Sequence, residues 1–302
     1  MLEARTCMVR PASPAIAIAQ DRVLEKQMFE RLGIPIPPYA VVDSLADLEA
    51  AVEAVGLPAV LKTRRDGYDG KGQMVLRAVE DVPAAWTLLG PHACIVEAFV
   101  PFVREVSVVV ARDAAGHVEA FPPTENLHIN GILHSSVAPA VNADNAVEHA
   151  CTLFQIIPAG DEGYVGVLAL EMFETTDGCF LANECAPRVH NSGHWTMDSC
   201  GVDQFTQHLL AVSGRSLEAS NADDRTPSAM CNLIGQLPPE SALTGSGGQV
   251  HLYGKEPREG RKLGHINWTA ATIDEAKARA DAWAAQWLRP DPLPAAHSRR
   301  GH

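Results

Sequence analysis

Residues 164–194 read YVGVLALEMFETTDGCFLANECAPRVHNSGH, and this stretch decides the fold of the chain. An apolar run over residues 165–173 is followed by Thr-Thr-Asp-Gly at 175–178 and by a second strand-like run over 179–183. Apolar runs on both sides of an Asp-Gly pair are typical of a β-hairpin. The stretch therefore predicts two antiparallel strands joined by a tight turn.

The register of this hairpin predicts a cation site. If Asp177 and Gly178 are the two central residues of the turn, Glu171 lies opposite Glu184. Directly opposed carboxylates destabilise a sheet, and buried carboxylates take up protons unless a cation lies between them. Mg²⁺ prefers such oxygen ligands and fills its remaining positions with water and phosphate. An exposed hairpin with two solvated glutamates is the alternative interpretation.

The composition predicts a soluble, globular, cytoplasmic protein of about two domains. The chain has 302 residues, of which 46% are hydrophobic, and a net charge of −13 that argues against nucleic acid or an anionic membrane as a partner. Its seven cysteines are never spaced Cys-x-x-Cys, which favours free thiols in a reducing compartment. We find no apolar run long enough to span a membrane and no signal-peptide core over residues 1–10.

The remaining periodic segments predict a sheet flanked by helices. The predicted helices cover 16–32, ending at Gly33, and 44–55, 205–212 and 274–288; the predicted strands cover 58–65, 73–79, 93–97 and 104–110. These strands favour a central, largely antiparallel sheet. The segment from Pro122 to His128 is predicted as a loop, and residues 289–302 as disordered.

A glycine-rich loop, DGYDGKG at residues 66–72, lies between two predicted strands. Its backbone N–H groups can approach an anion closely, and Lys62 and Lys71 supply positive charge. The spacing matches neither the Walker loop nor the dinucleotide-binding fingerprint. An ordinary hairpin turn is the alternative.

Two polar clusters follow the central hairpin. Residues 188–194, RVHNSGH, offer arginine, histidine and asparagine donors to a small oxyanion, whereas a zinc site at His190 and His194 is disfavoured because the neighbouring proline and glycine argue against a helix. Residues 251–265 form a predicted hairpin with four cations, Lys255, Arg258, Arg261 and Lys262, which suits a phosphate group. A solvated turn is the alternative for the second cluster.

These pieces, in this order, resemble the 5-(carboxyamino)imidazole ribonucleotide synthetases, which are ATP-grasp ligases of purine biosynthesis and are also described as the ATPase subunit of phosphoribosylaminoimidazole carboxylase. The resemblance covers about residues 17–268. The stretches that carry it include QDRVLEKQMFERLGIP, KTRRDGYDGKGQ, ENLHINGILHSSVAPA, NECAPRVHNSGHWT and HLYGKEPREGRKLGH.

The resemblance implies an α+β chain with the ATP-grasp fold and a small C-terminal β-rich domain. It also implies that the family's N-terminal Rossmann-like domain is lacking. The expected boundaries are residues 1–15 as a remnant or linker, 16–212 as the ATP-grasp domain with a glycine-loop subdomain at about 56–100, 213–270 as the C-terminal β domain, and 271–302 as a terminal helix and tail.

The resemblance also implies a role for individual residues. The residues that match ATP-binding positions are Arg22, Lys62, Gly67, Tyr68, Asp69, Gly70, Lys71, Gly72, Gln73, Glu97, Ala98, Phe99, Val100, Glu105, His128, Asn183 and Glu184. The residues that match the Mg²⁺ ligands are Glu171 and Glu184. Arg188, His190 and Asn191 match positions suited to bicarbonate or carboxyphosphate, and Lys255, Arg261 and Lys262 match a segment that holds the 5′-phosphate of the ribonucleotide.

The activity that the resemblance implies is carboxylation of 5-aminoimidazole ribonucleotide, with ATP, Mg²⁺ and bicarbonate. A homodimer is expected. A truncated ATP-binding homologue without turnover remains the alternative, because the expected N-terminal domain would form one wall of the acceptor site. A different ATP-grasp carboxylate–amine ligase is disfavoured by the HNSGHWT and GRKLGH stretches.

Overall fold

A computed structural model of the chain describes residues 9–65, 67, 72–156, 163–219 and 225–288. The helices are α1 (Ser13–Ala19), α2 (Arg22–Arg31), α3 (Leu45–Val55), α4 (Val82–Leu89), α5 (Asp144–Ile156), α6 (Thr196–Ser199), α7 (Gln204–Val212), α8 (Glu240–Thr244) and α9 (Ile273–Trp287). The strands are β1 (Tyr39–Val42), β2 (Ala59–Thr63), β3 (Gln73–Leu76), β4 (Cys94–Ala98), β5 (Phe102–Arg112), β6 (Val118–Ala120), β7 (Thr124–Ile129), β8 (Ile132–Ala138), β9 (Gly166–Thr175), β10 (Phe180–Ala186), β11 (Ser228–Ile234), β12 (Gln249–Leu252) and β13 (Lys262–Thr269).

The smaller of two sheets has the strand order β1-β4-β2-β3, and all of its pairs are antiparallel. Helices α3 and α4 pack their apolar sides against it, so that Leu48 and Ala85 share a core with Leu61 and Val96. The glycine-loop subdomain predicted at about 56–100 stays a prediction; β1 pairs with β4, and α3 shares the core of the same sheet. A strand of four residues directly after a proline-rich segment shows too little alternation to be predicted.

The larger sheet has nine strands in the order β10-β9-β5-β7-β8-β11-β13-β12, with β6 paired to β5. All of its pairs are antiparallel. The sequence predicted one central antiparallel sheet, but the strands predicted at 58–65, 73–79 and 93–97 lie in the small sheet and the strand at 104–110 lies in the large one. Helices α2 and α5 lie against it, and Phe29 and Leu153 pack with Val108 and Leu170. This packing fixes the position of α2, which contributes to the site.

The hairpin β9–β10 has the predicted pairing of Glu171 with Glu184, but not the predicted turn. Gly178 N–H donates to Thr175 O, Thr175 N–H donates to Cys179 O, and Gly178 has a φ of 79°. The loop therefore has three residues, a turn followed by a left-handed glycine, which shifts the register by one. A bulge between Ala182 and Glu184 shifts it back, so the two errors cancel at the glutamates.

The predicted helix over 16–32 is two helices, α1 and α2. Asp21 interrupts it, because its side chain accepts hydrogen bonds from Val23 N–H and Leu24 N–H and caps α2. The chain also enters helix at Ser13, before the predicted start. Gly33, with a φ of 67°, follows the end of α2 as predicted.

The remaining elements lie close to their predicted positions, with one exception. Ser44 caps α3, and helices α7 and α9 match the predicted helices within one residue. The segment up to His128 was predicted as a loop, but Thr124–Ile129 form β7 in the middle of the large sheet. The two prolines before this strand masked it, because they are typical of loops.

The predicted boundary between residues 212 and 213 stays a prediction, and the large sheet runs across the two sides of it. Strand β11 pairs with β8, so β11, β13 and β12 extend the sheet that β10 and β9 begin. Residues 289–302, predicted as disordered, lie outside the described residues. None of the helices that the structure describes is both long and apolar enough to cross a membrane.

Candidate active site

Both sheets, helix α2 and the loop after β10 line a cavity of about 550 Å³. The predicted site residues on its wall are Arg22, Lys62, Gly67, Gln73, Glu97, Ala98, Phe99, Val100, Glu105, His128, Glu171, Asn183, Glu184, Arg188, His190, Asn191 and Lys262. The lining residues that sequence reasoning missed are Pro37, Val60, Val75, Phe102, Gly131, Leu133 and Phe173. Most of these are apolar and stand in ordinary strands, so no motif distinguishes them from core residues.

Several predicted site residues are not among those that line this cavity. Lys255 and Arg261 lie in the loop between β12 and β13, and Gly72 lies directly before β3. A Cβ atom at Gly72 would lie 2.7 Å from Oγ1 of Thr63, so close packing explains this glycine. The predicted residues Tyr68, Asp69, Gly70 and Lys71 lie outside the described residues.

Glu171 lies at the centre of a group of three ionisable side chains. His190 Nε2 is 3.1 Å from Glu171 Oε1, and His128 Nε2 is 4.0 Å from Oε2. His128 Nδ1 in turn is 2.6 Å from Glu105 Oε2. Burial would raise the pKa of Glu171, but the neighbouring groups His190, His128 and Lys262 together outweigh burial and lower the pKa. Glu171 therefore stays charged at neutral pH.

Glu184 and Asn183 face the same cavity because of the bulge in β10. Arg22 Nη1 donates to Glu184 Oε2 at 2.8 Å, and Lys62 Nζ lies 3.5 Å from Asn183 Oδ1. A bulge turns two successive side chains towards one side of a strand. Carboxylate and amide oxygens from β9 and β10 therefore meet the cationic groups of α2 and β2.

Glu97 joins helix α2 to the small sheet through a buried ion-pair triad. Its Oε2 lies 3.2 Å from Lys26 Nζ and 3.1 Å from Lys62 Nζ, and its side chain is 3% exposed. Burial would raise the pKa of Glu97, but the two lysines lower it to about 2. The triad fixes Lys62, whose ammonium group reaches the cavity.

A chain of buried hydrogen bonds crosses the large sheet and ends at His190. Ser136 Oγ donates to Asn126 Oδ1, Asn126 Nδ2 donates to Ser107 Oγ, and Ser107 Oγ lies 2.7 Å from Ser192 Oγ. Ser192 Oγ lies 2.8 Å from His190 Nδ1. The backbone N–H of Ser192 donates to the same Nδ1 at 3.4 Å, while Nε2 of the imidazole faces the carboxylate of Glu171.

Asn191 forms a reciprocal pair with Asn232, a residue that sequence reasoning missed. Asn191 Nδ2 donates to Asn232 Oδ1 at 3.0 Å, and Asn232 Nδ2 donates back to Asn191 Oδ1 at 2.8 Å. Asn232 Nδ2 also donates to Leu133 O, and its side chain is buried. Asn232 stands on β11, 41 residues away along the chain, so no local pattern indicates the pair.

The predicted basic hairpin exists, but its cations do not act as one cluster. Lys262 begins β13 and lines the cavity. Lys255 Nζ lies 5.1 Å from the centroid of the Tyr253 ring, and Arg261 Nη1 donates to Glu256 O. Of the three residues predicted to bind phosphate, only Lys262 reaches the cavity.

The hard oxygen ligands of the hairpin fit a divalent cation that takes water and phosphate as its other ligands. Within the described parts of the chain, no group of three or more His, Cys, Asp or Glu side chains could hold a metal ion. The two histidines considered for a zinc site face different partners. His190 faces Glu171, whereas His194 Nδ1 lies 2.9 Å from Nε2 of Gln204.

Two family models match the two parts of this architecture. The ATP-grasp domain model matches residues 27–205, which contain both carboxylates and the loop after β10. The model of the phosphoribosylaminoimidazole carboxylase C-terminal domain matches residues 228–279, which contain β11 to β13. The fold and the site therefore define an ATP-grasp protein.

Curated relatives narrow this class to one family. The N5-carboxyaminoimidazole ribonucleotide synthase of Pseudomonas aeruginosa is 46% identical over 272 residues, which are 90% of this chain and 74% of that protein. The same-named protein of Brucella melitensis is 45% identical over 87% of this chain and 73% of its own length. This chain belongs to the N5-carboxyaminoimidazole ribonucleotide synthase family.

Solved structures agree in fold. The N5-carboxyaminoimidazole ribonucleotide synthetase of Thermus thermophilus superimposes with a TM-score of 0.85 at 41% identity, covering 97% of this chain and 78% of that chain. The Aspergillus clavatus protein, solved with ADP and 5-aminoimidazole ribonucleotide, gives a TM-score of 0.83 at 27% identity, covering 94% and 78%.

Proposed function

We propose that this chain uses ATP and bicarbonate to convert 5-aminoimidazole ribonucleotide into N5-carboxyaminoimidazole ribonucleotide. The γ-phosphoryl group of ATP passes to bicarbonate, and the resulting carboxyphosphate delivers CO₂ to the amine of the ribonucleotide, leaving ADP and phosphate. Phosphoryl transfer requires positioning and charge neutralisation rather than a side-chain nucleophile. The cavity offers both.

The nucleotide is proposed to occupy the part of the cavity between the two sheets. Val60 and Val75 on one side and Leu133 and Phe173 on the other give this part apolar walls suited to a base. Lys62, held by Glu97, is proposed to meet the phosphates. Glu105, hydrogen-bonded to His128, is proposed to meet the ribose.

Mg²⁺ is proposed to bind at Glu171 and Glu184, with Asn183 beside them. When bound, it neutralises the charge of the transferring phosphoryl group. The support is that these oxygens converge from two paired strands and that the pKa of Glu171 is lowered. Arg22 is proposed to share Glu184 with the cation, since its guanidinium already contacts Oε2.

Bicarbonate and carboxyphosphate are proposed to bind against the loop after β10. The guanidinium of Arg188 is exposed at the cavity, while His190 and Asn191 are held by buried partners. Cationic and amide donors of this kind stabilise an oxyanion. The loop lies beside the proposed cation ligands, because His190 contacts Glu171.

The phosphate of the ribonucleotide is proposed to bind at Lys262, with Lys255 and Arg261 recruited from the β12–β13 loop. This proposal needs a movement of the loop, since only Lys262 of the three residues reaches the cavity.

A homodimer is also proposed. Three apolar side chains that are each more than half exposed offer surface for association: Val103, Leu127 and Val141. Light scattering would measure the mass of the particle in solution and so test the dimer.

The observation that carries the proposed function is the convergence of the paired glutamates and the Arg188–His190–Asn191 loop on one cavity. We would measure ADP release with ATP, Mg²⁺ and bicarbonate, with and without 5-aminoimidazole ribonucleotide. Release stimulated by the ribonucleotide supports the ligase. Bicarbonate-dependent release that the ribonucleotide leaves unchanged contradicts coupling to the acceptor, and no release supports an ATP-binding protein without turnover.

A further inference from the structure

Gln204, the first residue of α7, holds the backbone of His190 on both sides. His190 N–H donates to Gln204 Oε1 at 2.9 Å, and Gln204 Nε2 donates to His190 O at 2.8 Å. The glutamine side chain is fully buried. It therefore pairs with one residue of the loop as a neighbouring strand would.

The second N–H of the same amide group is also used. Gln204 Nε2 lies 2.9 Å from Nδ1 of His194, and burial is the main cause that lowers the pKa of His194 to about 4. The ring is therefore neutral at pH 7, and its Nδ1 accepts the hydrogen bond. Both hydrogens of the amide thus bind the loop, one at each of two histidines.

Gly193 packs closely against the side chain of Gln204. A Cβ atom at Gly193 would lie 2.8 Å from Gln204 Oε1 and 2.9 Å from Val109 Cγ2. Gln204 N–H also donates to Thr196 Oγ1, which itself donates to Gly193 O. The amide group is consequently fixed between the loop and the start of α7.

We propose that Gln204 is a positioning residue. It acts through His190 and determines where bicarbonate or carboxyphosphate binds. The proposal rests on the proposed function, in which His190 meets bicarbonate or carboxyphosphate. Loss of either hydrogen bond to His190 would shift the loop against Glu171, and small displacements of a positioned group cost large factors in rate. ATP binds to other residues and should not be affected.

The test compares Gln204→Glu with Gln207→Glu. Gln207 stands on the same helix, is equally buried, and binds both Glu218 N–H and Glu218 O, away from the site. Both variants bury a carboxylate that faces a carbonyl group, so both should lose similar stability.

Only Gln204→Glu should raise the KM for bicarbonate or lower kcat, by about a hundredfold, while ATP affinity stays unchanged. Equal losses of ATP affinity and turnover in Gln204→Glu, or the same loss of turnover in Gln207→Glu, would overturn the proposal.

A second variant and a second measurement cover the case in which Gln204→Glu does not fold. Gln204→Met keeps the shape of the side chain but makes no hydrogen bonds. Like Gln204→Glu, it should raise the KM for bicarbonate or lower kcat while ATP affinity stays unchanged. In the wild-type protein, ¹⁵N NMR at pH 7 should find His194 with a bare Nδ1 and the His190 amide protected from exchange. A proton on Nδ1 of His194, or a rapidly exchanging His190 amide, would contradict the proposed geometry even if the chain did not turn over. Absence of ribonucleotide-stimulated ADP release by the wild type would contradict the proposed function instead.

Discussion

Glu184 combines two roles at the level of the single residue, since it is a proposed cation ligand and the partner of Arg22. Glu184→Gln removes the charge but keeps one oxygen and the side-chain volume. We expect this change to abolish Mg²⁺-dependent ATP binding, because one neutral oxygen replaces a carboxylate in a site that has few ligands. Calorimetric titration with and without Mg²⁺ measures it.

Glu174→Gln is the matched control, because Glu174 stands on the same hairpin and pairs with Arg104 outside the cavity lining. This control should bind ATP as the wild type does. Unchanged Mg²⁺-dependent affinity in Glu184→Gln would remove the cation assignment.

Glu25 has a carboxyl group whose burial costs stability at high pH. Burial, followed by the charge of Glu184, raises the pKa of Glu25 from 4.5 to about 7. The folded state therefore binds this proton more tightly than the unfolded state, and the resulting stability is present below pH 4.5 and is lost as the pH rises to about 7. We expect Glu25→Gln to be more stable than the wild type at pH 8, by about 3 kcal/mol, and nearly equal to it at pH 4.5.

Urea unfolding at the two pH values measures this difference. The exposed Glu53 on α3 supplies a control, because Glu53→Gln should change stability little at either pH. A Glu25→Gln variant with the same stability advantage at both pH values would contradict the pH dependence.

The sequence predicted the residues that carry charge at the site, but not the residues that hold them. Arg188, His190 and Asn191 stand in one short motif, which made them visible. Asn232 and Gln204 are single amides in ordinary strand and helix sequences, and their value depends on contacts that only the tertiary structure creates. Buried amides of this kind have no sequence signature.

The β9–β10 hairpin explains, at the level of the element, why a correct prediction can rest on a wrong turn. Asp-Gly indicated the hairpin correctly, but the same dipeptide serves two-residue and three-residue loops. The loop of three residues and the bulge at Asn183 each shift the register, and they cancel at Glu184. Neither feature could be predicted, because bulges depend on the neighbouring strands.

Asp21 explains the break between α1 and α2, and its two functions can be separated. Its side chain caps α2 and also pairs with Arg64, whose Nη2 lies 2.8 Å from Oδ2. Asp21→Asn keeps the cap and loses the charge, whereas Asp21→Ala loses both. We expect the alanine variant to be less stable than the asparagine variant by about 1 kcal/mol in urea unfolding. Equal stability of the two variants would mean that the cap does not set the break.

At the scale of the whole molecule, the large sheet contains strands from both family-model regions. Strand β8 pairs with β7 on one side and with β11 on the other. Asn191 and Asn232 add a second connection, between the loop and β11. Two regions that share one continuous sheet should unfold as one cooperative unit.

Unfolding should therefore show a single transition by different probes. Trp268 and Trp283 pack against each other in the C-terminal region, with ring centroids 5.5 Å apart. A variant in which Trp86 and Trp195 are replaced by phenylalanine therefore reports on that region by its fluorescence. ATP and Mg²⁺ at about a hundred times their Kd should stabilise the protein by about 2.7 kcal/mol. We expect the tryptophan fluorescence and far-UV circular dichroism midpoints in urea to shift together. A tryptophan transition that does not move with nucleotide would contradict the single unit.

The pairing of β8 with β11 also limits how a gene for this chain can be divided. A cut between the codons for residues 213 and 227 would give two polypeptides, each ending its sheet in a strand that has lost its neighbour. Unpaired edge strands of this kind form hydrogen bonds with strands of other molecules, which leads to aggregation. We therefore expect each half to be insoluble and inactive alone, and the two halves to assemble into an active protein when they are co-expressed. This junction suits a split reporter, whose signal depends on the reassembly of two fragments.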